Sequence, residues 1–177
     1  AEACIEQFRG LEYETPTEIV PGLTLTLFDA GHILGASIVQ LEYADKGSRR
    51  TLVFSGDLGY REAPLMEAAH RLTHADAVLM ESTYGDRDHE DPGEVLADAI
   101  RRTVARGGSV VIPAFAVDRT EILLHELSRL LRTGAIPDVP VYVDSPMALA
   151  ALRLYREAIR EGSEEIRPEL LNGNDPF

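Results

Sequence analysis

From about Tyr84 onward the chain alternates segments of helical period with short apolar runs, and that alternation admits few folds. Pro92-Gly93 opens a helical stretch with Val95, Leu96, Ala99, Ile100 and Val104 on one face, and Gly107-Gly108 closes it in the manner of a C-cap. The run 109–115 (SVVIPAF) reads as a strand. Asp118 and Glu121 have the spacing of a capping box, and Ile122, Leu123, Leu127, Leu130 and Leu131 carry the apolar stripe of a second helix. A buried strand over 139–143 follows. Asp144-Ser145-Pro146 then leads into a third helix through Leu149, Leu152, Leu154, Tyr155 and Ile159. Helix, strand, helix, strand, helix predicts right-handed crossovers and a parallel sheet.

The first part has a different texture. Leu23, Leu25 and Leu27 alternate with Thr24, Thr26 and Phe28 at the period of a strand, with Pro21-Gly22 as the turn before it. A second strand fits 37–43 and a third fits 50–55, joined through Asp45-Lys46-Gly47-Ser48, a composition suited to a hairpin loop. Residues 77–80 form a short apolar run, read as a buried strand. The change of texture over 81–91 marks a domain boundary.

Size and charge bound the function. A chain of 177 residues that is 45% hydrophobic can build the core of a globular domain, or pieces of two. Seventeen Lys and Arg against 30 Asp and Glu give a net charge of −13, which excludes a protein that coats nucleic acid through a sequence-wide basic field. The single cysteine, Cys4, excludes an internal disulfide framework and a zinc finger, and points to the cytoplasm. No apolar run approaches a membrane span, and AEACIEQFRG has neither a basic start nor an apolar core of a secretion signal. The chain starts on Ala1 inside what reads as a helix and stops at Phe177 after a Gly, Asn and Pro cluster, as an excised segment would.

Three loops at strand ends hold the densest chemistry: Asp29-Ala30-Gly31-His32-Ile33-Leu34-Gly35-Ala36, Ser55-Gly56-Asp57-Leu58-Gly59, and Glu81-Ser82-Thr83-Tyr84-Gly85. Glycines there let backbone approach a ligand closely. His32 and Asp57 are of types that bind zinc, and Glu81 is an acid able to orient an imidazole. Taken singly, each has an ordinary reading: a satisfied loop histidine, an Asx-turn, a surface or helix-start carboxylate.

Taken together, AGHILGA, SGDLG and ESTYGDR, in that order, resemble the metallo-β-lactamase superfamily, specifically its β-CASP nucleic-acid-processing branch, which includes the ribonuclease J group and the pre-mRNA 3′-end endonuclease. PAFAVDRTEILLHEL and VYVDSPMA look like the opening of the β-CASP domain, so the resemblance runs from about Leu23 to about Tyr155. It implies an α/β chain in which residues 1–83 are the second half of a metallo-β-lactamase αββα domain. Residues 84–177 would be the first half of a β-CASP α/β domain with a parallel sheet. It further implies a catalytic pair of Asp57 and Glu81 and metal ligation by His32 and Asp57, with Asp57 bridging two zinc ions, manganese being compatible. In the family a hydroxide shared by the two ions attacks RNA. The acid corresponding to Glu81 holds a later histidine that protonates the leaving oxygen.

The family's His-x-His-x-Asp-His signature is not formed by any of the five histidines, at 32, 70, 74, 89 and 125, and the later histidine motifs are missing too. The chain therefore reads as the middle of a longer ribonuclease, itself inactive and with weak or no metal binding. His70 and His74 share an i, i+4 spacing that would suit zinc on a helix, but the strand beginning at Ala77 favours a connecting loop. His89 reads as solvent-exposed, His125 as structural, and Cys4 and Met147 as packing residues. Arg119, at the C-terminal edge of a strand, is a candidate RNA contact, with an ion pair to Asp118 or Glu121 as the ordinary reading. Ser145 is a second candidate substrate contact, or simply a helix cap. RNA is the expected partner, no membrane is, and uncovered strand edges suggest association between copies. A non-catalytic β-CASP scaffold subunit, another metallo-β-lactamase-fold hydrolase and a small-molecule-binding α/β module are the competing readings.

Overall fold

The computed structural model describes residues 2–86 and 93–177; His89 lies outside the described residues. The chain divides into two compact units, Ala1–Ala63 with Ala68–Thr83, and Pro64–Glu67 with Tyr84–Phe177. Its elements are α1 (Glu2–Ile5), β1 (Thr17–Val20), β2 (Leu23–Asp29), β3 (Ser37–Asp45), β4 (Ser48–Phe54), β5 (Ala77–Leu79), α2 (Gly93–Ala105), α3 (Arg119–Arg132), α4 (Pro146–Glu161) and a 3₁₀ turn at Pro168–Leu170. The architecture is α/β, with one mixed five-stranded sheet. Among the described residues no helix is long and apolar enough to cross a membrane.

The first unit is the sheet, in the order β1-β2-β3-β4-β5. The expected meander forms. β3 and β4 meet through a two-residue loop in which Lys46 (φ 47°) and Gly47 (φ 84°) both take positive φ, the geometry that matches the twist of the flanking strands. Phe28 lies opposite Ile38, and Gln40 opposite Val53. That face carries the core of Ala30, Ile38 and Val53, with Phe28, Ala36, Leu58, Leu72 and Ala75 packed on it. The other face, with Leu27 opposite Val39 and Leu41 opposite Leu52, is apolar too and half-buried. β1 is an addition to the expected strands; it pairs with β2 across an irregularity between Glu18 and Val20.

β5 runs parallel to β4, and Asp76 fastens its start. The Asp76 N–H donates to Thr51 O (2.8 Å), while its carboxylate accepts from Thr51 N–H (2.7 Å) and pairs with Arg50 (2.8 Å). The Thr51 hydrogen bond first, then Arg50, holds the Asp76 carboxyl below its ordinary value. The expectation of a buried strand here is corrected: Ala77, Val78 and Leu79 are exposed, and Met80 is 69% exposed, because β5 is an edge with no neighbouring strand on its far side among the described residues.

The second unit is built on helices. Ala97, Ile100, Leu127, Leu130 and Ile136 form one core, joining α2 to α3 and the turn after it. α2 ends as expected, with Gly107 at φ 74° and the N–H groups of Gly107 and Gly108 bonded to Val104 O and Thr103 O. The expected parallel sheet is a correction. Neither 109–115 nor 139–143 forms a strand among the described residues, and Val111, Phe115 and Tyr142 are 88%, 82% and 86% exposed. Strand period supplies the apolar side chains, but a ladder also needs a neighbouring backbone to pair with. Cys4 and Met147 are likewise exposed rather than packed. His70 and His74 stand on no helix: His70 packs on Phe28 (4.7 Å between ring centres) and meets Glu14 at 3.3 Å, while His74 is exposed.

The capping box before α3 does not form. Asp118 takes φ 67° and ψ −64°, and the Arg119 N–H closes on Val117 O (2.9 Å), a strained γ-turn; the Asp118 side chain makes no capping bond. Glu121 turns inward instead. It is fully buried, and neither carboxyl oxygen has a hydrogen-bond partner among the described residues. Burial pushes its pKa up; the backbone N–H groups of Glu121 and Asp118 lie near enough to oppose this weakly, without closing a hydrogen bond to either oxygen. With the folded-state value above the unfolded-chain 4.5, the folded state binds the proton more tightly, so stability falls as pH rises from about 4.5 through the raised value. Glu121→Met keeps an unbranched chain and removes the carboxyl. Chemical denaturation of this variant is expected to show a gain of about 1–3 kcal/mol at pH 7 and a flatter pH profile above 4.5. A less stable variant at pH 7 would show that the carboxylate is compensated.

Candidate active site

The His32 loop leaves β2 and re-enters β3. Asp29 Oδ1 accepts from Gly31 N–H (2.7 Å), Ala30 N–H donates to Ala36 O (2.9 Å), and Tyr13 Oη donates to Ala36 O (3.1 Å). These bonds fix a tight turn with His32 half-buried inside it. The Asp57 loop leaves β4 and is pressed against the first. Gly59 N–H donates to Ala30 O (2.9 Å), and a Cβ at Gly59 would stand 1.6 Å from Gly31 O. Gly56 sits at φ 58°, where a Cβ would meet Ser37 O at 2.6 Å. Only glycine allows both approaches. Asp57, between them, is exposed.

Glu81 ties the third loop to the second. Its Oε1 accepts from Leu58 N–H (3.2 Å), its Oε2 from Thr83 N–H (2.9 Å), and its own N–H donates to Ser55 Oγ (2.9 Å). Hydrogen bonds from Thr83, then from Leu58, with a smaller electrostatic contribution from His32, hold the Glu81 carboxyl below its ordinary value. Glu81 is thus an acceptor near neutral pH, not a proton donor. Its ionised state persists above the usual carboxylate range and is lost only as pH falls through its lowered value.

The structure therefore gathers the loops of His32, Asp57 and Glu81 at one end of the sheet. Histidine nitrogen and carboxylate oxygen are donors suited to zinc or manganese, and His32 and Asp57 fit as two ligands of such a site. Among the described residues no group of three or more His, Cys, Asp and Glu can hold an ion, so these two do not complete it. Arg119 and Ser145 belong to the second unit. Arg119 is exposed, 3.8 Å from the Asp118 carboxylate, and Ser145 caps α4 by accepting from Ala148 N–H (3.2 Å). His125 is half-buried on α3, and burial lowers its pKa, the Pro176 carbonyl opposing, as befits a packing residue. Ser55, Gly56 and Gly59 escaped the sequence reading as individuals. The SGDLG string carries them, but nothing in it says that a hydroxyl meets an amide 26 residues later.

Comparison with known proteins agrees with the loops. The chain is 37% identical over 179 residues to "Ribonuclease TTHA0252" of Thermus thermophilus, covering 99% of this chain and 40% of that protein. It is 36% identical over 174 residues to "Transcription termination factor FttA" of Methanothermobacter thermautotrophicus (94% of this chain, 27% of that protein), and 36% over 176 residues to the factor of the same name in Thermococcus kodakarensis (94% and 26%). It thus spans less than half the length of these relatives. No family model matches the chain. With the three motifs in order, their loops joined at one end of a sheet and these relatives aligned over nearly the whole sequence, the chain belongs to the β-CASP branch of the metallo-β-lactamase superfamily.

Proposed function

We propose that the chain is a segment of a metal-dependent phosphodiesterase that hydrolyses RNA, as an endo- or exoribonuclease of RNA processing or decay. The observation that carries this reading is the joining of the His32, Asp57 and Glu81 loops through Gly59, Leu58 and Ser55. The match to a protein named as a ribonuclease supports it. Residues 1–83 are assigned to the second half of the αββα domain, which suits a sheet apolar on both faces. Residues 84–177 are assigned to the first half of the β-CASP domain, which suits two strand-like runs that pair with no strand among the described residues.

His32 and Asp57 would be metal ligands, Asp57 as the bridge between two divalent ions, zinc or manganese. Such ions supply positive charge for the scissile phosphate and lower the pKa of water. Asp57, exposed on a turn pinned at both ends, presents its oxygens without needing to reorganise. Glu81, ionised, accepts the N–H of an imidazole brought by another part of the enzyme and holds its orientation. Arg119 offers a phosphate contact, since its exposed guanidinium meets the Asp118 carboxylate only at 3.8 Å, a long pair that yields to a stronger anion. Ser145 spends its acceptor on the helix cap and keeps its hydroxyl proton for a phosphate. The protein works in the cytoplasm, consistent with an unpaired thiol at Cys4, and copies associate through the β5 edge.

RNA cleavage is the test. The longer enzyme that contains this segment is expected to cut RNA with added zinc or manganese and to stop when a chelator is added, whereas residues 1–177 alone leave RNA intact. Chelator-resistant cleavage would overturn the metal-dependent reading. Turnover by residues 1–177 that is abolished in His32→Ala would overturn the need for ligands from elsewhere.

A further inference from the structure

We infer that Ser55 is a positioning residue for the metal site: its hydroxyl latches the turn that carries Asp57 to the loop that carries Glu81. This rests on the reading of Asp57 as a metal ligand. Ser55 is the last residue before the Gly56–Gly59 turn and is buried, although it lies at the mouth of the exposed loops. Its Oγ accepts from Glu81 N–H (2.9 Å) and donates to Gly56 O (2.7 Å). Its own N–H donates to Leu79 O (2.9 Å), the last residue of β5. One residue therefore closes both directions of the junction. The backbone bond continues the β4–β5 pairing by a step, and the hydroxyl extends it to Glu81, which returns a bond to Leu58 N–H (3.2 Å).

Ser55, Gly56, Asp57, Leu58 and Glu81 thus form a closed circuit in which Asp57 is held from both sides by groups that are themselves held. Asp57 sits on an exposed turn between Gly56 and Gly59, and apart from the Gly59 N–H bond to Ala30 O this circuit is what holds the turn's backbone. A hydroxyl suits the task because it accepts and donates at once, so neither the Glu81 amide nor the Gly56 carbonyl is left unpaired. Groups bonded directly to a metal ligand are typically worth about 10–100-fold in metal affinity; Ser55 acts one backbone link further away, through Gly56 and Glu81, so the lower end of that range applies.

The test uses residues 1–177, with Mn²⁺ as the probe. Amide hydrogen exchange reads the latch, and paramagnetic broadening of the Asp57 and His32 resonances reads ion affinity. In Ser55→Ala the Glu81 and Leu58 amides are expected to exchange about tenfold faster, with those of β2 and β3 unchanged, and Mn²⁺ affinity is expected to fall about tenfold. Ser55→Thr, which keeps the oxygen, is expected to restore both. Unchanged Glu81 exchange and unchanged Mn²⁺ affinity in Ser55→Ala would overturn the proposal, as would a loss of affinity that appears only together with faster exchange throughout β2 and β3. If Mn²⁺ fails to broaden Asp57 in the unsubstituted chain, ion binding needs the ligands supplied by the rest of the longer enzyme, as the incomplete donor set implies. The Glu81 and Leu58 exchange rates then still decide for or against the latch.

Discussion

Gly59→Ala is expected to unfold much of the first unit or to lower its melting temperature by roughly 6–12 °C, the shift that about 3 kcal/mol produces in a chain of this size. The added methyl would lie 1.6 Å from Gly31 O, 2.2 Å from Gly31 C and 2.8 Å from His32 N, all backbone atoms that cannot swing aside as a side chain can. Overpacking of side chains typically costs about 1–3 kcal/mol, and a collision between two backbones stands at the upper end or beyond. Relief would require the His32 loop to move off the Asp57 loop, breaking the bond from Gly59 N–H to Ala30 O at the rim of the core. Gly10→Ala is the control, because a Cβ there meets nothing within 4 Å. Circular dichroism melting of the two variants checks this. A Gly59→Ala protein that melts with Gly10→Ala would refute the close packing of the loops.

Asp57→Ala is expected to do the opposite, abolishing RNA cleavage by the longer enzyme while leaving the fold intact. Asp57 is exposed, and its side chain makes no hydrogen bond among the described residues. Removing such a carboxylate typically changes stability by no more than about 0.5 kcal/mol. As the bridging ligand it would carry the charge stabilisation of two ions. Losing several kcal/mol of it corresponds to at least about a thousandfold in rate, since each ~1.4 kcal/mol is tenfold. Cleavage rates and melting curves of the same preparation separate the two effects. Activity that survives in a folded Asp57→Ala enzyme would remove Asp57 from the site.

A sequence shows which side chains a loop carries but not where two backbones meet. Asp57, His32 and Glu81 stand out by residue type within glycine-flanked loops, and their side chains announce the chemistry. Gly59 does not announce that it lies against Gly31, because backbone oxygens carry no sequence signature. The meander was legible for a related reason. β2, β3 and β4 are neighbours in sequence as well as in the sheet, and Lys46-Gly47 states its own turn. β1 is short and mixes Thr and Glu with Ile and Val, so its strand character rests on the pairing with β2. The runs 109–115 and 139–143 misled because apolar β-branched residues define a strand only when another backbone lies alongside. Asp118 and Glu121 misled because the spacing of a capping box says nothing about a positive φ at its first residue.

The parallel pairing of β5 has a consequence for the order of assembly. β2, β3 and β4 close through short connections, so the His32 and Asp57 loops can form as soon as the meander does. β5 reaches β4 only after residues 55–76 have closed as one long connection, a slower and more costly event. Glu81 follows two residues after the end of β5 and arrives with it. During synthesis, a nascent chain paused before Ala77 therefore carries His32 and Asp57 without the carboxylate that fastens the Asp57 loop.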